Sequence, residues 1–430
     1  MKEITSIKKL INIIRDQISS FNLFSNTIYL LFLKYLMEYP ERVGEKDLID
    51  YKAIFDFKKL FDQARSGKRF LLSSDYELLF NGFDDKRAAE AAFFFHDLCS
   101  TYGQMFSKED SQCIIFNCLS EFELPGTNDE MRDLFEIVLD ACGGDVTRTG
   151  IHTTSRSLRK IVSKILDVQS NEIFMDCYCG YSTMLLSIDD YSQYLGFDID
   201  YNSAIVSTMI ELMLGKNRSY IECRDFFEVD YKVSKIFADA PLSMMANPHV
   251  MIGSPYFEKT KDVNIASLYK GIDSLREGGV GVFTVPSKAL YSNTKGYVDF
   301  RKFIATSGLR AIVELPAMWP GTSIQTNLLV IEKGYTGNVE FISANEFGTK
   351  TRNGIVLSDE EIRSIIKAYR ENLNTLAFCA SIERAKVMDA EYLSAYWFVP
   401  TQKDDVQYRD VEEIDNELSA LYEQFNKNLK

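Results

Sequence analysis

The feature that most constrains this 430-residue sequence is a change of pattern after Gly143-Gly144. Before that point, apolar residues recur every three or four positions, as on the buried face of an α-helix. After it, short apolar or β-branched runs alternate with helical stretches, which predicts an α/β fold with a doubly wound, mainly parallel sheet. Such sheets bind ligands beyond the carboxyl ends of their strands. The predicted strands are Ile173–Met175, Tyr194–Phe197, Ser219–Glu222, Lys235–Ala238, Gly281–Val285, Leu309–Glu314 and Leu328–Glu332.

The chain is longer than a single core usually supports, and the pattern divides it into three regions. Residues 1–145 predict an all-helical domain, residues 146–356 the sheet domain, and residues 357–430 a C-terminal helical region interrupted near Trp397–Pro400. The clearest helical patterns of the first region lie on either side of a break near Ser19–Asn22 and in three later stretches. Those later stretches are Tyr51–Ala64, Ala88–Tyr102 and Met131–Ala141.

The last helical pattern carries an apolar stripe with acidic residues between its members. Spacings of three and four separate Val411, Ile414, Leu418, Leu421 and Phe425. A stripe of this kind suits a helix that binds a partner protein, and it suits equally a helix that packs on the chain's own core. The spacing alone leaves both interpretations open.

Charge and cysteine content limit the class of function. A net charge of −14 opposes DNA binding over the whole surface, so any DNA contact must be local or shared with a partner. Eight cysteines without Cys-x-x-Cys spacing, with only three histidines, argue against a zinc site and predict reduced thiols. No apolar run has membrane-spanning length and the first residues do not resemble a signal peptide, so we expect a cytoplasmic protein without a membrane partner.

Three acidic residues follow three successive predicted strands. Asp176 ends the first strand and precedes a turn with Gly180, Asp198 ends the second, and Asp225 follows the third. Glycine lets the backbone approach a ligand closely, and a carboxylate at the second strand suits two ribose hydroxyls. Each acid alone is as readily a helix cap or turn residue, whereas three in succession favour a cofactor site. With Ser182 in place of a second glycine, the turn fits a cofactor without phosphates, such as S-adenosylmethionine.

Several motifs resemble those of the N6-adenine DNA methyltransferase family that forms the modification subunits of type I restriction-modification systems. Beyond the three acids and Gly180, the resemblance rests on segments spread along nearly the whole chain. They are Leu31–Leu36, Gly150–Ser155, Leu275–Pro286, Phe300–Lys302, Val313–Pro316 and Thr322–Asn327. The resemblance implies a Rossmann-like methyltransferase sheet, S-adenosylmethionine as cofactor, and double-stranded DNA with a flipped adenine as substrate. It also implies a specificity subunit bound through the C-terminal stripe, with a restriction subunit as a further candidate partner.

The resemblance also implies roles for individual residues. Thr154, in the segment before the first strand, helps to hold the cofactor, as do Asp176 and Gly180. Asp198 binds the ribose. Asp225 accepts from the adenine amino group, and Phe226 packs on the adenine ring.

The fourth predicted strand leads into Asp239-Ala240-Pro241-Leu242, where the family has Asn/Asp-Pro-Pro-Phe/Tyr. In that motif a side-chain oxygen and a backbone carbonyl accept the two hydrogens of the target amino group, and the aromatic residue stacks on the flipped base. Asp239 and Pro241 match this pattern, whereas Ala240 and Leu242 depart from it. Ser-Pro-Tyr within Gly253–Phe257 echoes the motif superficially, but a surface loop before a helix explains it better.

Three functional hypotheses follow. The first is a DNA adenine methyltransferase subunit that depends on a specificity subunit for sequence recognition, with activity impaired by the altered motif. The second is a catalytically inactive pseudo-methyltransferase that serves as a scaffold in a restriction or defence complex. The third is methylation of another planar nitrogen, such as a glutamine amide or an RNA base, by the same fold.

Overall fold

The computed structural model of the chain describes residues 2–18, 22–83, 92–106, 109–146, 153–216, 219–241, 251–252, 254–318, 324–351, 354–371 and 377–399. Several predicted features lie outside these residues. They are Gly150–His152 of the segment before the first strand, Leu242, Gly253, Thr322 and Ser323, and the apolar stripe from Val411 to Phe425.

The first part of the chain is helical, as its periodicity predicts. Its helices are α1 (Lys2–Gln17), α2 (Leu23–Glu38), α3 (Tyr51–Arg65), α4 (Ser73–Phe80), α5 (Ala92–Met105), α6 (Glu109–Glu121) and α7 (Asn128–Val146). In α2 every residue except Glu38 is buried, because the other helices and the sheet domain surround it. The side chain of Asn22 caps this helix by accepting a hydrogen bond from the Ser25 N–H at 3.0 Å.

A nine-stranded sheet forms the second part. Its strands are β1 (Ile173–Asp176), β2 (Gln193–Asp198), β3 (Ser219–Cys223), β4 (Val233–Ala238), β5 (Leu275–Pro286), β6 (Leu309–Leu315), β7 (Thr326–Glu332), β8 (Val339–Ser343) and β11 (Cys379–Ile382). Their spatial order across the sheet is β11-β8-β6-β7-β5-β4-β1-β2-β3. The five strands β1 to β5 are mutually parallel, whereas β7 runs antiparallel between β5 and β6. A separate two-stranded ribbon pairs β9 (Thr349–Thr351) with β10 (Gly354–Val356).

The sheet is doubly wound, because consecutive side chains along its strands enter two different cores. Phe174 and Phe237 face a core shared with the N-terminal helices, whereas Met175 and Ile236 face a second core on the opposite side. The first core also contains α8 (Arg156–Leu166), α9 (Tyr201–Met213) and α13 (Asp359–Glu371). The second contains α10 (Val263–Ser274), α11 (Lys288–Tyr291), α12 (Lys295–Thr306) and α14 (Arg384–Asp389).

All seven predicted strands are present, but two predictions need correction. The sequence predicted a helical region from residue 357 onward, and Cys379–Ile382 is instead strand β11, paired antiparallel with β8. Four residues carry too little periodicity to reveal a strand that forms by adding to the edge of a distant sheet. The stretch after Ser182 also differs from the pattern, because its apolar run Met184–Ile188 predicts a helix by its sequence and the structure has only a 3-10 helix at Thr183–Leu186.

A buried ion pair joins the N-terminal helices to the sheet domain. The Arg159 guanidinium, only 2% exposed, lies 2.8 Å from the Glu136 carboxylate of α7. The same guanidinium donates a hydrogen bond to the carbonyl oxygen of Thr183 at 3.0 Å. The turn after β1 is therefore fixed in part by a residue that is itself paired with the helical domain.

Candidate functional site

The predicted site residues meet at one edge of the sheet. Strands β4, β1, β2 and β3 are adjacent and parallel, so their carboxyl ends lie side by side. Asp176 and Asp198 are the last residues of their strands, and Asp225 and Asp239 follow theirs within two positions. This edge, where doubly wound sheets bind their ligands, is the candidate site.

Asp176 lies at the base of this edge, 2% exposed. The Tyr194 hydroxyl, on the neighbouring strand β2, donates to it at 3.3 Å and to the Ser182 hydroxyl at 3.0 Å. Burial, the largest cause, and the nearby Asp239 carboxylate together raise the pKa of Asp176 to about 8, against the lowering effect of the Tyr194 hydroxyl. A cation bound at this edge would favour the ionised form.

The turn after β1 is joined to the end of β2 by a hydrogen bond from the backbone. Gly180 adopts a φ of 51°, a left-handed conformation that glycine tolerates, and its N–H donates to Asp198 Oδ2 at 2.9 Å. The N–H of Asp200 donates to the other carboxylate oxygen at 2.8 Å. Each oxygen of Asp198 keeps lone-pair capacity for a ligand hydroxyl. Burial, the largest effect, raises the pKa of this carboxyl.

Asp225 caps a short 3-10 helix, Phe226–Glu228, by accepting from the Phe227 N–H at 2.9 Å. The cap interpretation of this acid is therefore correct, and it leaves the second oxygen for a ligand. Phe226 is 1% exposed and packs edge-on against Tyr178, with the rings 6.0 Å apart. The Lys270 ammonium lies 5.4 Å from the centre of the Phe226 ring. Phe227, next in sequence, is partly exposed.

The loop after β4, residues 239–242, is here called the β4 loop. Its first residue, Asp239, is 9% exposed, and the Thr154 hydroxyl donates to its Oδ2 at 3.0 Å. Its Oδ1 is buried and has no hydrogen-bond partner; the Thr284 hydroxyl, which lies close enough to lower the pKa of this carboxyl, donates to the Ala238 carbonyl at 3.4 Å. Burial raises the pKa of Asp239 to about 6, against the lowering effect of the two threonine hydroxyls. An ionised acceptor oxygen is thus held here at neutral pH.

The second residue of the β4 loop, Ala240, is held by α10. The Asn264 side-chain amide donates to the Ala240 carbonyl at 2.9 Å. Ala240 is buried, whereas Pro241 is exposed. Thr154, predicted from the resemblance to help hold the cofactor, therefore also contacts the β4 loop through Asp239.

Sequence reasoning missed several residues of this edge. Tyr194 lies in a strand without a motif, and Asn264, Thr284 and Lys270 follow no recognisable spacing. The alternative Ser-Pro-Tyr motif lies against the turn after β3. Its Tyr256 ring lies 5.4 Å from the Lys270 ammonium and 6.5 Å from the Phe227 ring.

The described residues contain neither a cluster of metal ligands nor a membrane-spanning helix. Within them, no three His, Cys, Asp or Glu side chains cluster closely enough to hold a metal ion. No helix of the described ranges is both long and apolar enough to span a membrane.

The fold is that of solved type I restriction-modification subunits. The type I methyltransferase subunit from Streptococcus thermophilus matches with a TM-score of 0.74 at 16% identity, covering 93% of this chain and 99% of that one. A chain from a study of complex assembly and conformational transition of the type I R-M system has a TM-score of 0.67 at 15% identity, covering 100% and 98%. A modification subunit assigned to a type I restriction enzyme from Vibrio vulnificus YJ016 has a TM-score of 0.64 at 13% identity, covering 90% and 93%.

A family model also matches the sequence directly. The model of the N-6 DNA methylase family aligns with residues 126–405, about two-thirds of the chain. The match includes every acid of the candidate site, from Asp176 to Asp239, and the strands that position them. N6-adenine DNA methyltransferases use S-adenosylmethionine as methyl donor. The fold and the sequence agree, and the chain belongs to the N-6 DNA methylase family.

Proposed function

We propose that this chain is an S-adenosylmethionine-dependent DNA adenine-N6 methyltransferase that acts as the modification subunit of a type I restriction-modification system. The observation that carries the proposal is the unpartnered Oδ1 of Asp239. Leaving a buried acceptor without a donor costs about 1–3 kcal/mol, more when the group is charged. A site that must accept a hydrogen from an adenine amino group needs such an oxygen at this position.

The β4 loop supplies the two acceptors that the reaction requires. The adenine amino nitrogen attacks a methyl group poorly, because its lone pair is delocalised into the ring. Hydrogen bonds from that amino group to Asp239 Oδ1 and to the Ala240 carbonyl would shift electron density onto the nitrogen. The carbonyl has two lone pairs, of which Asn264 occupies one.

The residues of the other strand ends suit the proposed cofactor. S-adenosylmethionine carries a sulfonium and an ammonium charge, and buried carboxylates such as Asp176 would attract both. The spare lone pairs of Asp198 would accept from ribose hydroxyls, and the spare oxygen of Asp225 from the adenine amino group. We assign Phe226 and Phe227 to the apolar surface beside the adenine ring. The bound cofactor supplies the methyl group.

Sequence recognition is assigned to a partner. The net charge of −14 leaves little surface suited to phosphate contacts. We propose that the apolar stripe from Val411 to Phe425 binds a specificity subunit, which reads the DNA sequence. A restriction subunit would join the same assembly.

Two binding measurements test this assignment. Calorimetric titration of the purified chain with S-adenosylmethionine should give one site per chain. The chain alone should bind duplex DNA weakly and without sequence preference, and a cognate specificity subunit should add tight, specific binding. A tight, specific DNA complex formed by this chain alone would refute the division of labour.

Cofactor binding without any transfer to DNA would support the alternative, a scaffold that keeps the cofactor site. Absence of cofactor binding would mean that Asp176, Asp198 and Asp225 serve only the fold. In either case the methyltransferase proposal would fail.

A further inference from the structure

Asn264 lies in the first turn of α10 and is 1% exposed. Its amide nitrogen donates to the Ala240 carbonyl at 2.9 Å and approaches the Thr284 carbonyl at 3.4 Å. The two acceptors belong to different elements, the β4 loop and strand β5. The side chain therefore joins a helix, a strand and the loop that carries the proposed acceptors.

The orientation of this amide is fixed by its surroundings. Both neighbouring groups are carbonyl oxygens, so only the nitrogen of the amide can face them. Its Oδ1 then points away and is buried without a hydrogen bond. Replacing Asn264 by an apolar side chain of similar shape would leave the carbonyl of the buried residue Ala240 without this donor, and a buried carbonyl that loses its donor destabilises the arrangement around it.

Asn264 is one of three polar side chains that hold the chain where it leaves the sheet. The Thr284 hydroxyl donates to the Ala238 carbonyl at 3.4 Å, and the Thr154 hydroxyl donates to the Asp239 carboxylate at 3.0 Å. Of the three contacts, only that of Asn264 reaches the backbone of Ala240. The orientation of the Ala240 carbonyl depends on it.

Ala240 stands where the resemblance leads one to expect a proline. Proline fixes the φ angle of its own residue, and alanine does not. We propose that Asn264 is a positioning residue of the β4 loop, whose hydrogen bond to the Ala240 carbonyl replaces the restraint that a proline would supply. The catalytic consequence rests on the proposed function, whereas the restraint on the loop does not.

Amide hydrogen exchange of the full chain, saturated with S-adenosylmethionine, measures the restraint directly. In Asn264→Leu, a peptide covering residues 236–245 should exchange roughly 2- to 12-fold faster, the factor that corresponds to one lost hydrogen bond. Asn327→Leu is the matched control. Asn327 is also 1% exposed and donates to a backbone carbonyl, that of Val285 at 3.3 Å, and it makes no hydrogen bond to the described residues of the β4 loop.

A double-mutant cycle with Ala240→Pro tests the replacement itself. If proline and Asn264 provide the same restraint, Asn264→Leu should change the exchange of this peptide less than about twofold when it is combined with Ala240→Pro. The proposal would be overturned if Asn264→Leu increased the exchange rate equally in the native and the Ala240→Pro backgrounds. It would also be overturned if Asn264→Leu caused no increase in the native background, or if Asn327→Leu caused the same increase. If the leucine variant does not fold, Asn264→Asp takes its place. It sets a carboxylate against the two carbonyl oxygens and should make the same peptide exchange its amide hydrogens faster.

Methyl transfer gives a second, separate readout. A positioning role predicts that Asn264→Leu lowers kcat while the KM for DNA and the Kd for S-adenosylmethionine stay within about twofold. If the native chain transfers no methyl group, the proposed function fails, and the exchange experiment still decides the role of Asn264. Equal losses in KM, Kd and thermal stability would indicate a structural role only and would overturn the proposal.

Discussion

The two halves of the candidate site hold their carboxylates in different ways. On the cofactor side, at the ends of β1 to β3, Asp198 and Asp225 accept hydrogen bonds from backbone N–H groups, and Asp176 accepts from Tyr194. At the β4 loop, Asp239 accepts one bond from Thr154, and its second oxygen is buried and unpartnered. The first half is built to keep its acids in place, and the second keeps an acceptor available.

Because of this difference, we expect mutations in the two halves to affect two different quantities, the affinity for cofactor and the rate of methyl transfer. Changes on the cofactor side should alter affinity or stability, because under the proposed function the acids there bind the cofactor, and their hydrogen bonds shape the turns. Changes in the β4 loop should alter the rate of transfer with little effect on cofactor binding. The predictions below test this separation, beginning with the largest effect.

Asp239→Ala should lower methyl transfer by about 10²–10³-fold, the loss found when one preorganised hydrogen-bonding group is removed from a catalytic site. The affinity for S-adenosylmethionine, measured by calorimetry, should change little. A parallel loss of cofactor affinity would contradict the separation of the two halves.

Asp239→Asn is the matched variant, because it keeps an acceptor oxygen at the same position and should retain most of the activity. Since burial raises the pKa of Asp239 to about 6, the native chain should lose activity as the pH falls through that value. Protonation at Oδ1, the oxygen without a partner, would turn this acceptor into a hydrogen-bond donor. Asparagine has no titratable group, so the activity of Asp239→Asn should not fall in this way at acidic pH.

Asp198→Ala should weaken cofactor binding by about 10- to 150-fold, since hydrogen bonds to a charged group contribute roughly 1.5–3 kcal/mol. Asp200→Asn is the control. Asp200 is an exposed acid two positions away that caps α9 through the Ser203 N–H at 2.7 Å. Equal weakening in both variants would mean that the loop shape, rather than a ligand contact of Asp198, determines affinity.

Leu242→Phe should raise the rate of transfer by about 5- to 150-fold, because stacking of a base on an aromatic ring contributes roughly 1–3 kcal/mol. The gain should appear at saturating cofactor and should leave the Kd for cofactor unchanged. No gain in a chain that binds cofactor and DNA would show that the departure at this position is not what limits the reaction.

Asp176→Asn should stabilise the ligand-free protein more at pH 8 than at pH 5, by a difference on the order of 3–4 kcal/mol. The pKa of this carboxyl is raised to about 8, above its ordinary value of 3.8. The folded state therefore binds the proton more tightly, and the stability contributed by this group is lost as the pH rises towards 8. Urea unfolding at the two pH values measures the difference, and an equal pH dependence in both proteins would contradict it.

The sequence predicted the parts of this molecule that depend on local pattern. All seven proposed strands formed because each carries a run of β-branched or apolar residues, and their order placed Asp176, Asp198, Asp225 and Asp239 at one edge. Strand β11 was missed because it forms by pairing with β8, far away in sequence. Periodicity does not report such a contact.

The hydrogen bonds that support the site were missed for the same physical reason. Asn264 reaches the Ala240 carbonyl across 24 positions, and the Thr154 hydroxyl reaches Asp239 across 85. Such hydrogen bonds arise only when helices and strands pack together. The resemblance identified the acids, and the fold identifies the residues that hold them.

The most direct test of the central claim is transfer of a radiolabelled methyl group from S-adenosylmethionine to unmethylated DNA by the native chain together with its specificity subunit. The account predicts label on DNA, recovered as N6-methyladenine, and loss of that product in Asp239→Ala but not in Asp239→Asn. No labelled N6-methyladenine from a complex that binds both cofactor and DNA would contradict the account and leave the chain a scaffold.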